Sequence, residues 1–104
     1  MTDTKKLARI FKALSVETRV RIVQFLKKRA LCVGALSARL GITQGAVSRH
    51  LRVLRDADLV VPEKQGYYVH YRLNDETLAQ WSDAAEEFFT TKAGGKNDGD
   101  YLRE

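Results

Sequence analysis

The stretch that decides the fold covers residues 41–60 and has the sequence GITQGAVSRHLRVLRDADLV. Its apolar residues Val47, Leu51 and Leu54 recur at the three- and four-residue spacing of one helix face. Thr43 stands just before them, where a side-chain oxygen can accept a hydrogen bond from a free N–H group of the first helical turn. The stretch therefore predicts a helix that begins after Thr43, ends at about Asp56 or Ala57 and turns one apolar side inward.

The other side of this helix carries polar residues in an arrangement that DNA recognition requires. These residues are Gln44, Ser48, Arg52 and Arg55 and, just beyond them, Gly45 and Arg49. An arginine can bridge O6 and N7 of guanine, a glutamine can bridge N6 and N7 of adenine, and a serine can contact bases or phosphate. We expect this face, with Thr43 at its start, to bind in the major groove. The alternative is a polar face that contacts only water.

Two residues of the same helix need separate interpretation. Gly45 lowers helix stability by roughly 1 kcal/mol relative to alanine, but its lack of a side chain lets another backbone approach closely. His50 lies beside Ala46 and Leu54, at the edge of the packed side. We expect His50 to be partly buried, or to donate to a phosphate, rather than to recognise a base or bind a metal.

Three helices are predicted before the recognition helix. The first covers about residues 4–14, and its apolar stripe is Leu7, Ile10, Phe11 and Leu14. Ser15 resembles the N-cap of a second helix, which ends near Arg29. The third extends from Cys32 to Leu40 and is ended by Gly41. Because the short third helix, a tight turn and the fourth helix follow one another directly, they predict a helix-turn-helix.

After the fourth helix the periodicity changes from helical to two residues. Residues 59–64 and 67–73 are β-rich runs on either side of Gln65-Gly66, which predicts a hairpin. Pro62 lacks an N–H group, so the first strand is expected at a sheet edge. The tip, Glu63-Lys64-Gln65-Gly66-Tyr67-Tyr68, combines a cation, amide donors and two aromatic rings, and the residues expected to contact DNA are Lys64, Gln65, Gly66 and Tyr67. We expect this wing to contact the DNA backbone and the minor groove, although such aromatic residues are also common in ordinary strands.

A last helix is predicted to begin near residues 74–76, where acidic side chains favour a helix N-terminus. Its apolar stripe is Leu78, Trp81, Ala85 and Phe88. Residues 90–104 are rich in glycine and polar residues without periodicity, so we expect a disordered tail after a domain of residues 1–89. The predicted order is ααααββα, a mainly α winged helix-turn-helix with a small β-hairpin.

The distribution of charge agrees with a polyanionic partner. The chain has 104 residues, enough for one small domain, and a formal net charge of +5. Residues 1–73 carry 15 Lys/Arg and 5 Asp/Glu, a net +10, whereas residues 74–89 carry 5 acidic residues and no basic one. The basic part suits nucleic acid; the alternative is a solvated surface that happens to be basic. No run is apolar enough for a membrane span and we find no signal peptide, so we expect a cytoplasmic protein.

Several motifs together closely resemble the ArsR-type, arsenic-repressor-like winged-helix repressors. Thr43-Gln44 corresponds to the cap of their recognition helix, and VSRHL matches their Val-Ser-x-His-Leu. The letters LRDADLV match Leu-x-x-Ala-x-Leu-Val, and the wing KQGYYVHYRLN ends in the expected Tyr-x-Leu. FKALSVETRVRIVQFL, residues 11–26, resembles the second-helix region of the family. The resemblance covers roughly residues 5–89, and the combination of motifs is specific.

The resemblance implies a homodimer with twofold symmetry whose first and last helices form the interface, so that residues 1–89 serve both DNA binding and dimerisation. The apolar stripes of those two helices suit this role; alternatively, they close the core of one chain. The implied partner is double-stranded DNA, bound at an inverted repeat by two recognition helices ~34 Å apart. The implied activity is repression that ends when an inducer reshapes the dimer, and a small molecule is one candidate for that inducer.

Cys32 is the only cysteine of the chain. Family members that sense arsenite or soft metals carry Cys-Val-Cys in the third helix, whereas this chain has Cys32-Val33-Gly34. Such sites need three or four thiolate or imidazole ligands, and a second family site needs histidines on the last helix, which here has none. We therefore expect neither a metal site nor a cofactor. Cys32 is interpreted as a core residue; the alternative is a one-thiol sensor of oxidants or electrophiles.

The leading hypothesis is thus a sequence-specific DNA-binding transcriptional regulator, a repressor whose inducer is not a metal at the known family sites. One alternative is a sequence-neutral DNA-binding protein, which would rely on phosphate and minor-groove contacts. Another is a protein-interaction module on the same scaffold, since a fold does not fix a function. An enzyme is not expected, because the sequence offers no nucleophile–base pair and no glycine loop that binds phosphate.

Overall fold

The computed structural model describes residues 3–91. Its elements are α1 (Thr4–Ala13), α2 (Glu17–Leu26), β1 (Leu31–Cys32), α3 (Val33–Leu40), α4 (Gln44–Asp56), β2 (Val60–Gln65), β3 (Tyr68–Leu73) and α5 (Asp75–Phe89). The predicted mainly helical winged fold is confirmed. The predicted order of elements lacked only the short strand β1. Residues 92–104, most of the predicted tail, lie outside the described residues, and the extent of the predicted domain stays a prediction.

The boundary between the first two helices differs from the prediction. α2 begins at Glu17 after Val16, which makes no side-chain cap hydrogen bond, so Ser15 is not its N-cap. The Ser15 hydroxyl instead donates to the carbonyl oxygen of Lys12 at 2.8 Å, and this hydrogen bond closes the end of α1. The predicted extension of α2 to Arg29 is also wrong, since the chain leaves the helix after Leu26 to enter β1.

The helix-turn-helix is formed by α3, a tight turn and α4. Gly41 ends α3 with a φ of 69°, a left-handed conformation that glycine adopts without steric cost. The Ser37 hydroxyl donates across the turn to the carbonyl oxygen of Ile42. Thr43 is the N-cap of α4, as predicted, and its Oγ1 accepts from the Ala46 amide at 3.1 Å. Side-chain hydrogen bonds on both sides of the turn therefore fix the start of α4.

The hairpin lies in a three-stranded antiparallel sheet with the order β1-β3-β2. β2, which contains Pro62, is an edge strand as predicted. The turn is Gly66-Tyr67 and not Gln65-Gly66, because Gln65 pairs with Tyr68 in the ladder. Gly66 has a φ of 65° at the first turn position, where a tight hairpin favours glycine.

The short strand β1 joins the helix-turn-helix to the wing. Leu31 lies opposite Tyr71, and Cys32 lies opposite His70, so β1 pairs with the central strand β3. Cys32 is also the residue before α3 and accepts a hydrogen bond from the Ala35 amide at 3.4 Å. The sequence did not predict β1, because two residues are too few to show a period of two.

The centre of the core lies beneath α4. The largest fully buried side chains come from α2, α3, α4 and the start of the wing, and they are Ile22, Leu36, Val47, Leu51, Leu54 and Leu59. α5 begins after Asn74, whose side chain accepts from the Thr77 amide at 3.4 Å. It closes the core against α1 with Trp81 and Ala84, both at most 9% exposed. The apolar side of α4 thus packs against α2, α3 and the start of the wing.

The end of α4 has a Schellman motif with an unusual residue. The Asp58 amide donates to the Arg55 carbonyl at 2.8 Å, and the Leu59 amide donates to the Leu54 carbonyl at 2.9 Å. Asp58 holds the left-handed position of this motif, with a φ of 62°. Glycine is usual there, since an L side chain is strained in this conformation.

Candidate nucleic-acid interface

α4 has one buried side and one exposed side. Val47, Leu51 and Leu54 are at most 1% exposed. The residues predicted to contact DNA from this helix are all exposed, and they are Gln44, Gly45, Ser48, Arg49 and Arg52, with Arg55 beside them. The predicted recognition face therefore points into solvent, on a helix whose other side cannot rotate without opening the core.

The cations of the recognition face have no partner within residues 3–91. The guanidinium groups of Arg49, Arg52 and Arg55 make no hydrogen bond or ion pair there. Arg52 and Arg55 are flanked by Ser48 on the same side of the helix. These guanidinium groups are consequently available to guanine edges or phosphates without the loss of an existing interaction.

The first turn of α4 contains a side chain that rests on α3. A Cβ atom added at Gly34 would lie 3.7 Å from Nε2 of Gln44, which places the Gln44 amide over the start of α3. A Cβ atom added at Gly45 would meet nothing closer than 3.9 Å, at Nη1 of Arg49. Packing within the described residues thus gives no reason for a glycine at position 45, whereas a backbone contact with an external partner would.

The tip of the wing is the second exposed part of the predicted interface. Lys64, Gln65, Gly66 and Tyr67 are all exposed, and Tyr67 is 97% exposed. Below the tip, Nε of Arg72 lies 2.7 Å from Oε2 of Glu63 in an ion pair at the surface. Because Glu63 is neutralised by Arg72, Lys64 provides the uncompensated charge of the tip.

His50 faces away from the recognition face and toward α2. Its Nδ1 lies 3.4 Å from Nη1 of Arg19. The pKa of His50 is lowered, first by burial and then by the positive charges of Arg19 and Arg49. His50 is partly buried, as predicted. A neutral imidazole can accept from Arg19, so the contact favours the uncharged form.

Arg19 was not singled out in the sequence, yet it joins three helices. Its Nε donates to the Ala13 carbonyl at 2.7 Å, and its Nη2 donates to the Lys12 carbonyl at 3.2 Å. Both carbonyls belong to the end of α1, where the helix leaves its last acceptors unpaired. Through His50 the same guanidinium reaches α4. No pattern of spacing identifies such a contact, since its partners are 6, 7 and 31 residues away.

Cys32 and His70 are neighbours across the sheet, which the sequence did not reveal. Cys32 is partly buried and serves as the N-cap of α3. Nδ1 of His70 is buried and lacks a hydrogen-bond partner among the described residues. Among residues 3–91 no group of three or more His, Cys, Asp or Glu side chains is arranged to hold a metal ion.

The residues predicted for a dimer interface divide into two sets. Leu7, Ile10 and Trp81 are buried within the single chain, at 9% exposure or less. The others are partly buried or exposed: Phe11, Leu14, Leu78 and Ala85 line a groove of about 570 Å³ between α1 and α5, and Phe88 lies against Phe11 beside it.

Phe89, which the sequence analysis did not include, belongs to the exposed set. Its ring centroid lies 5.0 Å from that of Phe88 and 6.0 Å from that of Phe11, and Phe89 is 68% exposed. Phe11 and Phe88 are themselves 5.6 Å apart, so three aromatic rings form one exposed cluster.

Comparison with known proteins assigns the chain to a family. The family described as bacterial regulatory protein, arsR family, matches residues 17–61, from α2 to the start of β2. A crystal structure described as a possible transcriptional regulator for arsenical resistance superposes with a TM-score of 0.72 and 33% sequence identity, over 86% of this chain and 93% of that chain. The chain belongs to the ArsR family. The resemblance found in the sequence is thereby confirmed.

Two ArsR-family relatives align with the chain over only part of their own length. The arsenic resistance transcriptional regulator ArsR1 of Pseudomonas putida is 38% identical over 76 residues, which are 72% of this chain and 59% of the relative. The arsenical resistance operon repressor of Escherichia coli K12 is 46% identical over 66 residues, 62% of this chain and 56% of the relative. The chain thus spans less than two thirds of the length of these relatives, and both are regulators of transcription rather than enzymes.

No helix between residues 3 and 91 has both the length and the apolar character that crossing a bilayer requires.

Proposed function

We propose that this chain is a sequence-specific DNA-binding transcriptional regulator that represses promoters as a homodimer. The observation that carries the proposal is the division of α4, whose apolar side is at most 1% exposed while its cationic and amide residues face solvent. α4 is the second helix of the helix-turn-helix, which enters the major groove in proteins with this motif. A helix fixed in this way holds the backbone positions of its polar residues in one constant arrangement.

Each part of the exposed surface has a distinct role in the proposed complex. Arg52 bridges a guanine, and Ser48 contacts a base or a phosphate beside it. Thr43, Gln44 and Gly45 bring the N-terminus of α4, with its free N–H groups, close to the DNA backbone. At the wing, Lys64 and the neighbouring tip residues contact phosphates and the minor groove, which positions the helix without selecting a sequence.

The proposed homodimer buries the groove between α1 and α5. Three exposed phenylalanine rings form one contiguous apolar cluster, and exposed apolar patches mark protein interfaces when they are large. A second copy of the same chain would cover the groove symmetrically. It would set two α4 helices about one DNA turn, ~34 Å, apart on an inverted repeat.

The dimer is tested with Phe88→Glu, which places a carboxylate in the aromatic cluster. Tyr67→Glu is the matched control, because Tyr67 is an exposed aromatic residue of the wing tip, away from the groove. We expect sedimentation equilibrium to show at least a tenfold weaker dimer for Phe88→Glu and an unchanged dimer for Tyr67→Glu. Equal dimer affinity of the two variants would contradict the proposed interface.

The proposed regulation is occupancy of a promoter until an inducer changes the dimer. With one cysteine in the chain, at position 32, the inducer is not a metal held by the paired thiolates of the family. A bacterial DNA-binding regulator acts where the chromosome lies, so we assign the protein to the cytoplasm. The family assignment and the polar face of α4 support this function over sequence-neutral DNA binding and over a one-thiol sensor.

The decisive experiment is selection of bound duplexes from a random pool, followed by affinity measurements on the selected operator. We expect Arg52→Ala to lose ~1–3 kcal/mol on the operator. Arg52→Lys is the more specific test, since it keeps the charge but loses the bidentate contact with guanine. It should bind random DNA like the wild-type protein and bind the operator more weakly.

A second variant separates wing contacts from base contacts. Lys64→Ala should weaken operator and random duplexes by the same factor and reduce the salt dependence of binding by about one phosphate contact. If selection yields no preferred sequence, or if Arg52→Lys binds the operator with wild-type affinity, sequence-specific recognition by α4 is wrong.

A further inference from the structure

A cleft between α1, the start of α2 and the end of α4 is not used by the proposed DNA interface. Its volume is about 290 Å³. The lining residues are Arg9, Lys12, Ala13, Arg19, Val53, Asp56 and Ala57. We refer to it as the α1–α4 cleft. Val53 and Ala57 lie on the flank of α4 that faces α1, so an occupant of the cleft would not block the recognition face.

The walls of the α1–α4 cleft are mainly apolar. Ala13, Val53 and Ala57 contribute methyl groups, and the aliphatic stems of the basic side chains extend this surface. Val53 is 37% exposed, although it is a branched apolar residue on a helix with three fully buried neighbours. An apolar group of a ligand placed over Val53 would therefore remove both its own hydrocarbon surface and that of Val53 from water.

The rim of the α1–α4 cleft is strongly cationic. Three basic side chains, Arg9, Lys12 and Arg19, face the single carboxylate of Asp56, which leaves an excess of two positive charges. The side chains of Arg9 and Lys12 make no hydrogen bond or ion pair within residues 3–91. A neighbouring cavity of about 170 Å³ balances Lys6 and Arg9 with two carboxylates, so it lacks this excess.

We propose that the α1–α4 cleft is a binding site for a small organic anion with an apolar body, such as an aromatic carboxylate. The volume lies at the lower end of the range of ~300–1,000 Å³ that is usual for small-molecule sites, which suits one or two rings. The body would pack on Val53 and Ala57. The carboxylate would pair with Lys12, which lines this cleft and not the neighbouring cavity, and with Arg9 beside it.

The position of Arg19 connects this site with the recognition helix. Its guanidinium lines the cleft while it bonds to the end of α1 and to His50 of α4. A carboxylate paired with Lys12 and Arg9 would also attract the Arg19 guanidinium, which lines the same cleft, and would compete with these acceptors for its N–H groups. Binding would therefore alter the link between α1 and α4 and change operator affinity, a consequence that rests on the proposed DNA-binding function.

The binding site is tested with naphthoate as probe and naphthamide, its uncharged counterpart, as control. Titrations of the full chain are followed by the amide resonances of the protein. We expect naphthoate to shift the resonances of Ala13, Val53 and Ala57, and to bind at least about tenfold more tightly than naphthamide. Shifts confined to Leu78 and Ala85, in the groove between α1 and α5, would overturn the proposal, as would equal affinity for both probes or no binding up to about 10 mM.

Variants of the cleft separate charge from shape. Lys12→Glu should weaken naphthoate about tenfold and leave naphthamide unchanged, whereas Val53→Trp should fill the cleft and abolish binding of both. Lys28→Glu is the matched control, because Lys28 is an exposed lysine that does not line the cleft. Equal losses for Lys12→Glu and Lys28→Glu would show a general charge effect and refute the site.

The DNA consequence has its own measurement, so the two proposals fail separately. Operator affinity is measured with and without saturating naphthoate, for the wild-type protein and for Val53→Trp. A change of affinity in the wild-type protein alone supports the link through Arg19, and no change in either refutes that link. If the protein binds no operator at all, the proposed function is wrong, while the resonance shifts still decide whether the cleft binds the anion.

Discussion

Replacement of Gly45 by alanine should change protein stability and DNA affinity in opposite directions. The added Cβ atom would lie 3.9 Å from Nη1 of Arg49 and 4.0 Å from Oγ1 of Thr43, which are ordinary contacts. No strain opposes the substitution, and alanine is the better helix former. We therefore expect the free energy of unfolding to rise by about 0.5–1 kcal/mol, measured by denaturant titration.

DNA affinity should fall in the same variant, because the new methyl group lies on the exposed first turn of α4. If the backbone at Gly45 approaches a phosphate, the methyl group holds it away and weakens a charge-assisted hydrogen bond. A loss of about tenfold on the operator is expected, measured by fluorescence anisotropy.

Gly34→Ala is the matched control for this prediction. A Cβ atom there would meet only Nε2 of Gln44 at 3.7 Å and Sγ of Cys32 at 4.0 Å, and Gly34 is only partly exposed on α3. This variant should also gain stability but keep the wild-type operator affinity. If Gly45→Ala binds the operator as tightly as the wild-type protein, the close approach of the α4 backbone to DNA is refuted.

Three further outcomes are expected. Asp58→Gly should raise the free energy of unfolding by about 0.5–1 kcal/mol in denaturant titrations, because glycine relieves the left-handed conformation at the end of α4; an unchanged or lower value would show that Asp58 is not strained. The lowered pKa of His50 means that the unfolded chain binds its proton more readily, so stability should fall as pH decreases through and below the usual pKa of 6.5, and His50→Gln should flatten this part of the pH profile; an identical profile would remove His50 from the explanation. Cys32→Ser should keep the hydrogen bond from the Ala35 amide and bind the operator with wild-type affinity, and a loss of inducer response in this variant would instead support the thiol sensor.

The parts of the fold that follow a strong local pattern were predictable from the sequence. α4 was predicted from cap to end, because Thr43 caps it and its apolar residues recur on one side. The hairpin was predicted one residue out of position, because its turn depends on the pairing of Gln65 with Tyr68 rather than on the nearest glycine. Ser15 failed as a cap since its hydroxyl has a competing acceptor in the preceding helix.

Contacts between distant parts of the chain could not be predicted in the same way. The polar side of α4 follows from helical spacing, so the solvent exposure of its residues could be predicted. In contrast, the contact of Arg19 with His50 and the pairing of Cys32 with His70 depend on how separate elements pack. The burial of Trp81 likewise depends on α1 and α5 lying together, which an apolar stripe on one helix does not specify.

The pairing of β1 with the central strand of the wing has a mechanical consequence for recognition. Since Cys32 ends β1 and immediately precedes α3, the backbone that positions the helix-turn-helix is hydrogen-bonded to the backbone that positions the wing. The two surfaces proposed to contact DNA are therefore held at a fixed separation within one protomer. In the proposed complex, a duplex whose grooves do not match that separation would have to bend or widen, so DNA stiffness would contribute to the choice of operator.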